Sequence, residues 1–335
     1  MRPRVLLICG SLNQTTMMHQ IGLELADCDC WYTSYYCDGL LDWLNRRGML
    51  EFTVAGRKGP LQALTREYLR SHHCPVDDRG ALNHYDLIVT CSDLVVQRNV
   101  RGRPLVLVQE GMTDPEDWMY HLVRMLRLPR WLASTSMTGL SLAYRRFCVA
   151  SEGYRDHFVS KGVPEDRIVV TGIPNFDNCA SYRVNDFPHR GYVLVATSDA
   201  RETFKWDARR RFFARVEAIA AGRPLMFKLH PNENMARATA EIEGRFPEAT
   251  VFTSGNTNHM IANCDVLITQ YSTVVYTGLA LGKPCFSYFA TDQLKQLVPL
   301  QNGGTSGRRI AAVCRRVLRS DTSSPAPLEL QWATA

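Results

Sequence analysis

Residues suited to binding phosphate follow a strand-like apolar run in the second half of the chain. The segment Phe227-Lys228-Leu229-His230-Pro231-Asn232 brings a cation, an imidazole and an amide to the end of that run. Lys228 and His230 are two residues apart, so in a strand they share one face. Lysine meets a phosphate as a point charge, and histidine can donate a hydrogen bond to it. We expect Lys228, His230 and Asn232 to bind a phosphate group, with His230 also a catalytic candidate. The alternative is a basic strand end whose histidine caps the next helix.

Three further loops of the second half carry hydroxyl, amide or guanidinium groups. Their candidate binding residues are Thr197, Ser198, Arg201, Asn256, Ser272 and Thr273. Hydroxyls at a strand-to-helix turn lie beside unpaired backbone N–H groups, which suit an anion, although the same residues also serve as plain helix caps. Because the loops follow different predicted strands, together they predict a pocket for a nucleotide diphosphate.

Several common enzyme motifs are missing from the sequence. The absence of GxxxxGK[ST] and of GxGxxG disfavours Walker-type NTPases and standard dinucleotide-dependent dehydrogenases. There is also no GxSxG nucleophile elbow and no HExxH metal site, and no CxxC pair of the kind that structural zinc uses. We therefore expect no metal and no resident cofactor, with a nucleotide-activated compound as substrate.

The first half supplies a different set of polar residues. Ser11, Asn13 and Thr15 lie in a predicted polar loop, residues 11–15, after the first predicted strand, and we expect them to bind an acceptor. Glu110 ends another apolar strand, where a carboxylate can act as general base on a hydroxyl group. Asp114 is a second catalytic candidate, with the alternative role of capping the helix that begins near Pro115.

Alternating strands and helices must position these loops. The predicted strands are Arg4–Gly10, Trp31–Tyr36, Asp86–Cys91, Pro104–Glu110, Phe147–Ser151, Arg167–Thr171, Tyr192–Ala196, Pro224–Leu229, Thr250–Thr253, Val266–Thr269 and Pro284–Phe289. The alternation restarts after a polar seam at 174–190. It predicts an α/β chain with two Rossmann-like, doubly wound domains facing across a cleft, with ligands at the carboxyl ends of the strands. The predicted domains are residues 1–175 for the acceptor and 176–320 for the nucleotide donor, followed by a flexible tail at 321–335.

Composition limits the class of protein. The chain has 335 residues, 45% hydrophobic and 21% charged, which excludes wholesale disorder. The 11 scattered cysteines suit reduced thiols in a cytosolic enzyme rather than a disulfide framework. Because no apolar run approaches the roughly 20 residues of a membrane span, we expect a cytoplasmic protein.

The charge balance raises the question of an anionic partner. The net charge is +6, but the basic residues are spread along the chain without a nucleic-acid motif, so we expect no nucleic acid partner. The helical segment 118–131 mixes Trp, Met and Leu with Arg124, Arg127 and Arg130, which resembles an interfacial helix. The favoured interpretation is a helix packed on the sheet with a solvated basic edge, and the alternative is peripheral contact with the inner face of the membrane.

Two stretches resemble GT-B glycosyltransferases. Gly162-Val163-Pro164 with Arg167–Asn175 is similar to the segment that leaves their first domain, and Cys264–Thr269 with Ser272–Tyr276 and Ala280–Pro284 is similar to their donor-site helix. His230-Pro231 and Ser272-Thr273 resemble the paired motifs of CDP-glycerol glycerophosphotransferases and polysialyltransferases, which implies contact with the donor's phosphates. More distantly, Glu110-Gly111 and Pro115-Glu116 resemble UDP-N-acetylglucosamine 2-epimerases, although the Gly-Gly and Glu of that family's second domain are absent.

These observations predict a metal-independent glycosyltransferase. It would move a sugar or polyol phosphate from a nucleotide-activated donor to a hydroxyl acceptor, in surface polysaccharide or glycolipid synthesis, where the acceptor can be lipid-linked. Two alternatives stay open. One is an isomerase similar to UDP-N-acetylglucosamine 2-epimerase, and the other is a non-catalytic nucleotide-sugar-binding protein.

Overall fold

The chain forms two compact units. The computed structural model describes residues 2–51, 53, 55–56, 58–198, 201–202 and 207–320. The first unit runs to Asp177 and also takes in the chain from Asn302 onward, and the second unit comprises residues 178–301. The predicted tail at 321–335 lies outside the described residues.

A parallel sheet forms the centre of the first unit. Its strands are β1 (Arg4–Ile8), β2 (Asp29–Thr33), β3 (Leu87–Thr90), β4 (Leu105–Val108), β5 (Arg146–Val149) and β6 (Ile168–Val170). In the described residues these six strands lie in the order β2-β1-β3-β4-β5-β6. Every residue of β3 and β4 is buried, as expected for apolar strands covered on both faces.

Helices follow the strands of the first unit. They are α1 (Leu12–Leu23), α2 (Gly39–Arg46), α3 (Pro60–Ser71), α4 (Trp118–Leu126) and α5 (Glu152–Ser160). The helices α2 and α3 were not expected from the sequence. Asp38 begins α2 by accepting a hydrogen bond from Gly39 N at 2.8 Å, and a proline opens α3, as helix starts allow.

The second unit repeats this design. Its elements are β7 (Val193–Ala196), α6 (Arg209–Ala220), β8 (Leu225–Lys228), α7 (Met235–Arg245), β9 (Thr250–Phe252), α8 (Thr257–Asn263), β10 (Val266–Thr269), α9 (Val274–Ala280), β11 (Cys285–Phe286) and α10 (Thr291–Leu297). The five strands found in its described residues are parallel, in the order β11-β10-β7-β8-β9. Phe212, Phe213 and Phe227 pack with Ile242 in the core between this sheet, α6 and α7. The predicted fold class, two doubly wound α/β domains, is confirmed.

The last described helix, α11 (Ser306–Ser320), corrects the predicted domain boundary. The expected second domain extended to residue 320, whereas α11 belongs to the first unit. Its apolar face, which includes Ile310 and Val317, is buried, and Arg315 pairs with Asp27 at 2.6 Å. An amphipathic helix belongs to the sheet that covers its apolar face, and linear sequence order does not reveal which sheet that is.

Two global features follow from the described residues. None of their helices is long and apolar enough to cross a membrane. All 11 cysteines are free thiols, and most are buried. Burial raises the pKa of the Cys148 thiol to about 12 and of the Cys264 thiol to about 11, so these side chains stay protonated at neutral pH.

Candidate functional site

The carboxyl edge of the second sheet, meaning the ends of β7, β8 and β10 and the loops that follow them, brings the strongest candidates together. Ala196 of β7 pairs with Thr269 of β10 on one side and with Lys228 of β8 on the other. Neighbouring strands lie about 4.8 Å apart, so the ends of β8 and β10 are about 10 Å apart at the same level. The loops that carry His230 and Ser272 therefore leave the same edge of the sheet, one on each side of β7.

His230 lies in a tight turn directly after β8. Glu233 N donates to His230 O at 3.0 Å, which closes the turn, and His230 N donates to Glu233 Oε2 at 3.0 Å and to Thr197 Oγ1 at 3.2 Å. Asn232 N donates to His230 Nδ1 at 3.2 Å. A neutral imidazole whose Nδ1 accepts a hydrogen bond carries its proton on Nε2. The turn therefore fixes both the backbone position and the tautomer of His230.

Ser198 and Gln270 join the loops after β7 and β10. Ser198 Oγ donates to Gln270 Oε1 at 2.8 Å, and Gln270 Nε2 donates to Asp207 Oδ1 at 2.9 Å. Gln270 is only 2% exposed. Thr197 connects β7 to the His230 turn, so the loops after β7, β8 and β10 are tied into one hydrogen-bonded edge. Gln270 and Asp207 were not singled out from the sequence.

The two predicted phosphate cations are more enclosed than expected. Lys228 is the last residue of β8, and its Nζ donates to Leu229 O at 2.8 Å. Burial lowers the pKa of Lys228, and nearby Glu233 partly offsets that effect. Arg201 pairs with Asp207 at 3.1 Å and Glu241 at 2.7 Å. Since β8 ends at Lys228, His230 does not share a strand face with it, which corrects the prediction from the two-residue spacing.

Ser272 and Thr273 form the turn that leads into α9. Both are half-buried, and Val275 N donates to Ser272 O at 3.2 Å and Tyr276 N to Thr273 O at 3.0 Å. Among the described residues, the Thr273 side chain makes no capping hydrogen bond to α9. The alternative that the Thr273 hydroxyl serves as a plain helix cap is therefore not supported.

The other predicted donor residues have local roles. Asn256 caps α8, accepting hydrogen bonds from Asn258 N at 3.0 Å and His259 N at 3.3 Å. Thr277, which is not one of the predicted donor residues, is buried, and its hydroxyl donates to Asn258 Oδ1 at 3.3 Å. Asn232 is exposed, and its backbone supports His230. The edge thus combines residues that hold the loops with residues that present polar groups.

In the first unit, Glu110 follows β4 and is surrounded by donors from the start of α1. Gln14 Nε2 donates to its Oε2 at 2.6 Å, and Ser11 Oγ and Asn13 Nδ2 donate to its Oε1 at 3.3 Å each. Gly10 permits this arrangement, because a Cβ there would lie 2.0 Å from Gln14 Oε1. The structure therefore brings together three of the residues expected from the sequence, and adds Gln14.

Thr15 and Asp114 are placed differently from the expectation. The sequence predicts a polar loop over residues 11–15, but α1 begins at Leu12, so Thr15 becomes a fully buried helical residue that donates to Ser11 O at 2.7 Å. Asp114 accepts from Thr135 Oγ1 at 2.9 Å and so secures the loop before α4. Thr15 does not reach the surface of the described residues, and its predicted acceptor contact is replaced by a packing role.

Comparison with known proteins identifies the architecture. No protein-family model matches the chain, and no curated protein matches it. Among solved structures, the UDP-GlcNAc 2-epimerase from Neisseria meningitidis aligns with a TM-score of 0.55 at 11% identity, covering 93% of this chain and 100% of that one. S. aureus MnaA aligns with a TM-score of 0.57 at 11% identity, covering 97% and 100%.

A polymerase has a similar fold. The wall teichoic acid polymerase TagF aligns with a TM-score of 0.53 at 9% identity, over 97% of this chain and 90% of that one. The chain has the GT-B fold. At this level of identity the likeness concerns the fold, so the chemistry must be argued from the chain's own residues.

Proposed function

We propose that this protein is a nucleotide-sugar-dependent enzyme whose second unit binds the donor nucleotide diphosphate. The observation that carries the proposal is the convergence of the His230 turn, Ser198 and the Ser272 loop at one sheet edge, the position where open α/β sheets bind ligands. The neighbours give it chemical direction: MnaA was solved with UDP, the Neisseria epimerase with UDP-GlcNAc, and TagF with CDPG.

The reaction we propose is transfer of a sugar or polyol phosphate to a hydroxyl acceptor. The Nε2–H of His230 and the hydroxyls of Ser272 and Thr273 would donate to the phosphate oxygens and stabilise the charge that develops as the nucleotide leaves. Lys228 would add a positive potential from just beneath the edge. With these groups the proposed reaction uses no resident metal or cofactor, and the nucleotide-activated donor is a substrate.

Glu110 is the proposed general base. Its three neutral donors, Ser11, Asn13 and Gln14, hold the carboxylate in place. A carboxylate held in this way can accept the proton of an acceptor hydroxyl as that oxygen attacks. Ser11 and Asn13 at the start of α1 would then contact the acceptor, while Asp114, occupied by Thr135, is the weaker candidate.

Binding of nucleotides to the full chain tests this proposal. Thermal shifts with UDP, CDP, CMP, GDP and dTDP would identify the base, since a ligand at 100 times its Kd stabilises by about 2.7 kcal/mol. His230→Ala should then weaken the preferred nucleotide by about 10- to 150-fold, the equivalent of about 1.5–3 kcal/mol for a hydrogen bond to a charged group. His121→Ala, an exposed imidazole on α4, is the matched control and should bind as the wild type does. Equal affinity in both variants would refute the role of His230.

An isomerase is the second candidate, favoured by the epimerases among the structural neighbours and by the secured Glu110 after β4. Incubation with UDP-GlcNAc alone separates the two activities. An isomerase converts the sugar nucleotide without an acceptor, whereas a transferase needs one. Nucleotide binding without turnover in any acceptor screen would indicate the non-catalytic alternative.

A membrane-facing surface would suit a lipid-linked acceptor. Trp118 and Met125 on α4 are 70% and 72% exposed, and the exposed Leu126, Arg124 and Arg127 lie near them in the chain. Exposed large apolar groups beside cations are typical of interfacial helices on anionic lipid surfaces. We propose that α4 makes this peripheral contact, in keeping with the cytoplasmic location expected from the sequence.

A further inference from the structure

Glu233 occupies the centre of the candidate site without having been expected from the sequence. Its side chain is fully buried. Its Oε2 accepts hydrogen bonds from His230 N at 3.0 Å and from Thr197 Oγ1, and its Oε1 accepts from Arg209 Nη2 at 2.7 Å. We propose that Glu233 is the positioning residue of this site, which sets the His230 turn for nucleotide binding. This inference rests on the proposed function of the second unit.

The contacts of Glu233 continue across the whole edge. Arg209, 6% exposed, lies 3.3 Å from Glu241 and 3.6 Å from Asp207. Asp207 in turn accepts from Gln270 Nε2, the amide whose oxygen holds Ser198. One buried series of charged and polar contacts therefore links the loops after β8, β7 and β10.

The ion pair of Glu233 and Arg209 contributes more to the geometry of the site than to the stability of the fold. Burying a carboxylate and a guanidinium costs desolvation free energy that their attraction only roughly offsets. What the pair supplies is a fixed arrangement: the carboxylate can bind His230 N, Thr197 and Arg209 together in only one position. Binding sites need their groups held within about 0.5 Å, and the buried Glu233 would hold the His230 turn in place from beneath the surface.

A neutral amide cannot reproduce this arrangement. In Glu233→Gln the oxygen can face either Arg209 or the pair Thr197 and His230 N. In either orientation the NH₂ group meets a donor, so one contact is lost. The matched control is Glu241→Gln, because Glu241 also pairs with Arg209 and is 31% exposed, but within the described residues no hydrogen bond or ion pair joins it to the His230 turn.

Two measurements on the full chain separate positioning from general stabilisation. One is the affinity for the preferred nucleotide of the wild type. The other is the imidazole ¹³C–¹H signal of His230 without nucleotide, assigned by its loss in His230→Ala. We expect Glu233→Gln to bind nucleotide at least tenfold more weakly and to shift the His230 signal, while Glu241→Gln changes neither. If Glu233→Gln does not fold, Glu233→Asp takes its place, because the shorter carboxylate cannot hold both Arg209 and the turn.

The outcomes are distinct. A folded Glu233 variant with wild-type affinity and an unmoved His230 signal would overturn the inference, as would a Glu241→Gln variant that loses affinity and shifts the signal equally. If the wild type binds no nucleotide, the proposed function fails. The His230 signal still decides in that case whether Glu233 positions the turn.

Discussion

Replacing Thr197 by valine removes the hydroxyl that joins β7 to Glu233 and to the backbone of His230. A natural control lies on the neighbouring strand. Thr269, like Thr197, is a buried threonine at a strand end, with exposures of 1% and 3%. Among the described residues, however, its Oγ1 has no hydrogen-bond partner. Thr197→Val and Thr269→Val each delete a buried hydroxyl group at the end of a strand, but only Thr197→Val breaks hydrogen bonds to other residues.

The two substitutions should affect the free energy of unfolding differently: Thr197→Val should lower it, whereas Thr269→Val should not. Thr197→Val loses a hydrogen bond to a charged group, worth about 1.5–3 kcal/mol, and leaves Glu233 with an unfilled acceptor position. Thr269→Val removes a hydroxyl that is buried unpaired, so the free energy of unfolding should stay unchanged or rise by about 1 kcal/mol. The difference of about 3 kcal/mol corresponds to a shift of about 1 M in the urea midpoint at a slope of about 2–3 kcal/mol per M.

Urea unfolding followed by circular dichroism measures the midpoints, and nucleotide titration measures the consequence for the site. We expect Thr197→Val to unfold at lower urea and to bind nucleotide more weakly, and Thr269→Val to match or exceed the wild type in both. If Thr197→Val is as stable as Thr269→Val and binds equally well, the account of the edge as one connected structure is wrong.

Three further predictions concern the first unit. Glu110→Gln should lower turnover about 10²–10⁴-fold, the usual contribution of a general base, whereas Asp114→Asn should lower it far less; similar losses in both would refute the assignment. Burial lowers the pKa of Lys161 to about 8 from the usual 10.5, so the folded protein holds this proton less tightly than the unfolded chain. Between pH 7 and 10.5 the free energy of unfolding of the wild type should therefore rise by about 3 kcal/mol relative to Lys161→Met, and a constant difference in urea titrations would contradict this. The full chain should sediment with phosphatidylglycerol-containing vesicles. Changing both Trp118 and Met125 to serine should lower the affinity for these vesicles at least tenfold, since burying each side chain contributes about 1.5–3 kcal/mol. If the double substitution leaves vesicle binding unchanged, this surface is not the membrane contact.

The sheets were predictable because their strands are short apolar runs. A strand buried on both faces needs an uninterrupted apolar sequence, and Leu87–Thr90 and Val266–Thr269 satisfy that rule. The observed strands are shorter than predicted mainly at their carboxyl ends, where the chain stops pairing with the neighbouring strand and enters the loop. The helices α2 and α3 were not predicted from the sequence, although both are amphipathic.

The site was predictable where chemistry and local position coincide. His230, Ser198 and Ser272 follow strands, and strand ends are visible in the sequence. Arg209 and Glu233 could not be found in this way, because they meet across 24 residues through the packing of α6. A faint signal existed in Glu233, which stands three residues after His230, the spacing that lets a side chain reach back to a turn's first N–H group.

Thr15 shows the limit of reasoning from residue type. A hydroxyl after a strand suggests a binding loop, but Ser11 caps α1 by accepting from Gln14 N at 3.3 Å. The helix therefore starts early and turns Thr15 toward the interior. The same early helix start brings Asn13 and Gln14 to Glu110. The position of the helix cap therefore removes the predicted contact of Thr15 with an acceptor and places Gln14 against Glu110.

Amide hydrogen exchange of the full chain, with and without saturating UDP or CDP, shows directly where nucleotide binds. We expect slower exchange with nucleotide at residues 197–198, 230–233 and 271–276, and unchanged exchange in the helices α4 and α11. Protection confined to other segments, or no protection at these three loops under saturating nucleotide, would contradict the claim that the carboxyl edge of the second sheet binds the nucleotide diphosphate.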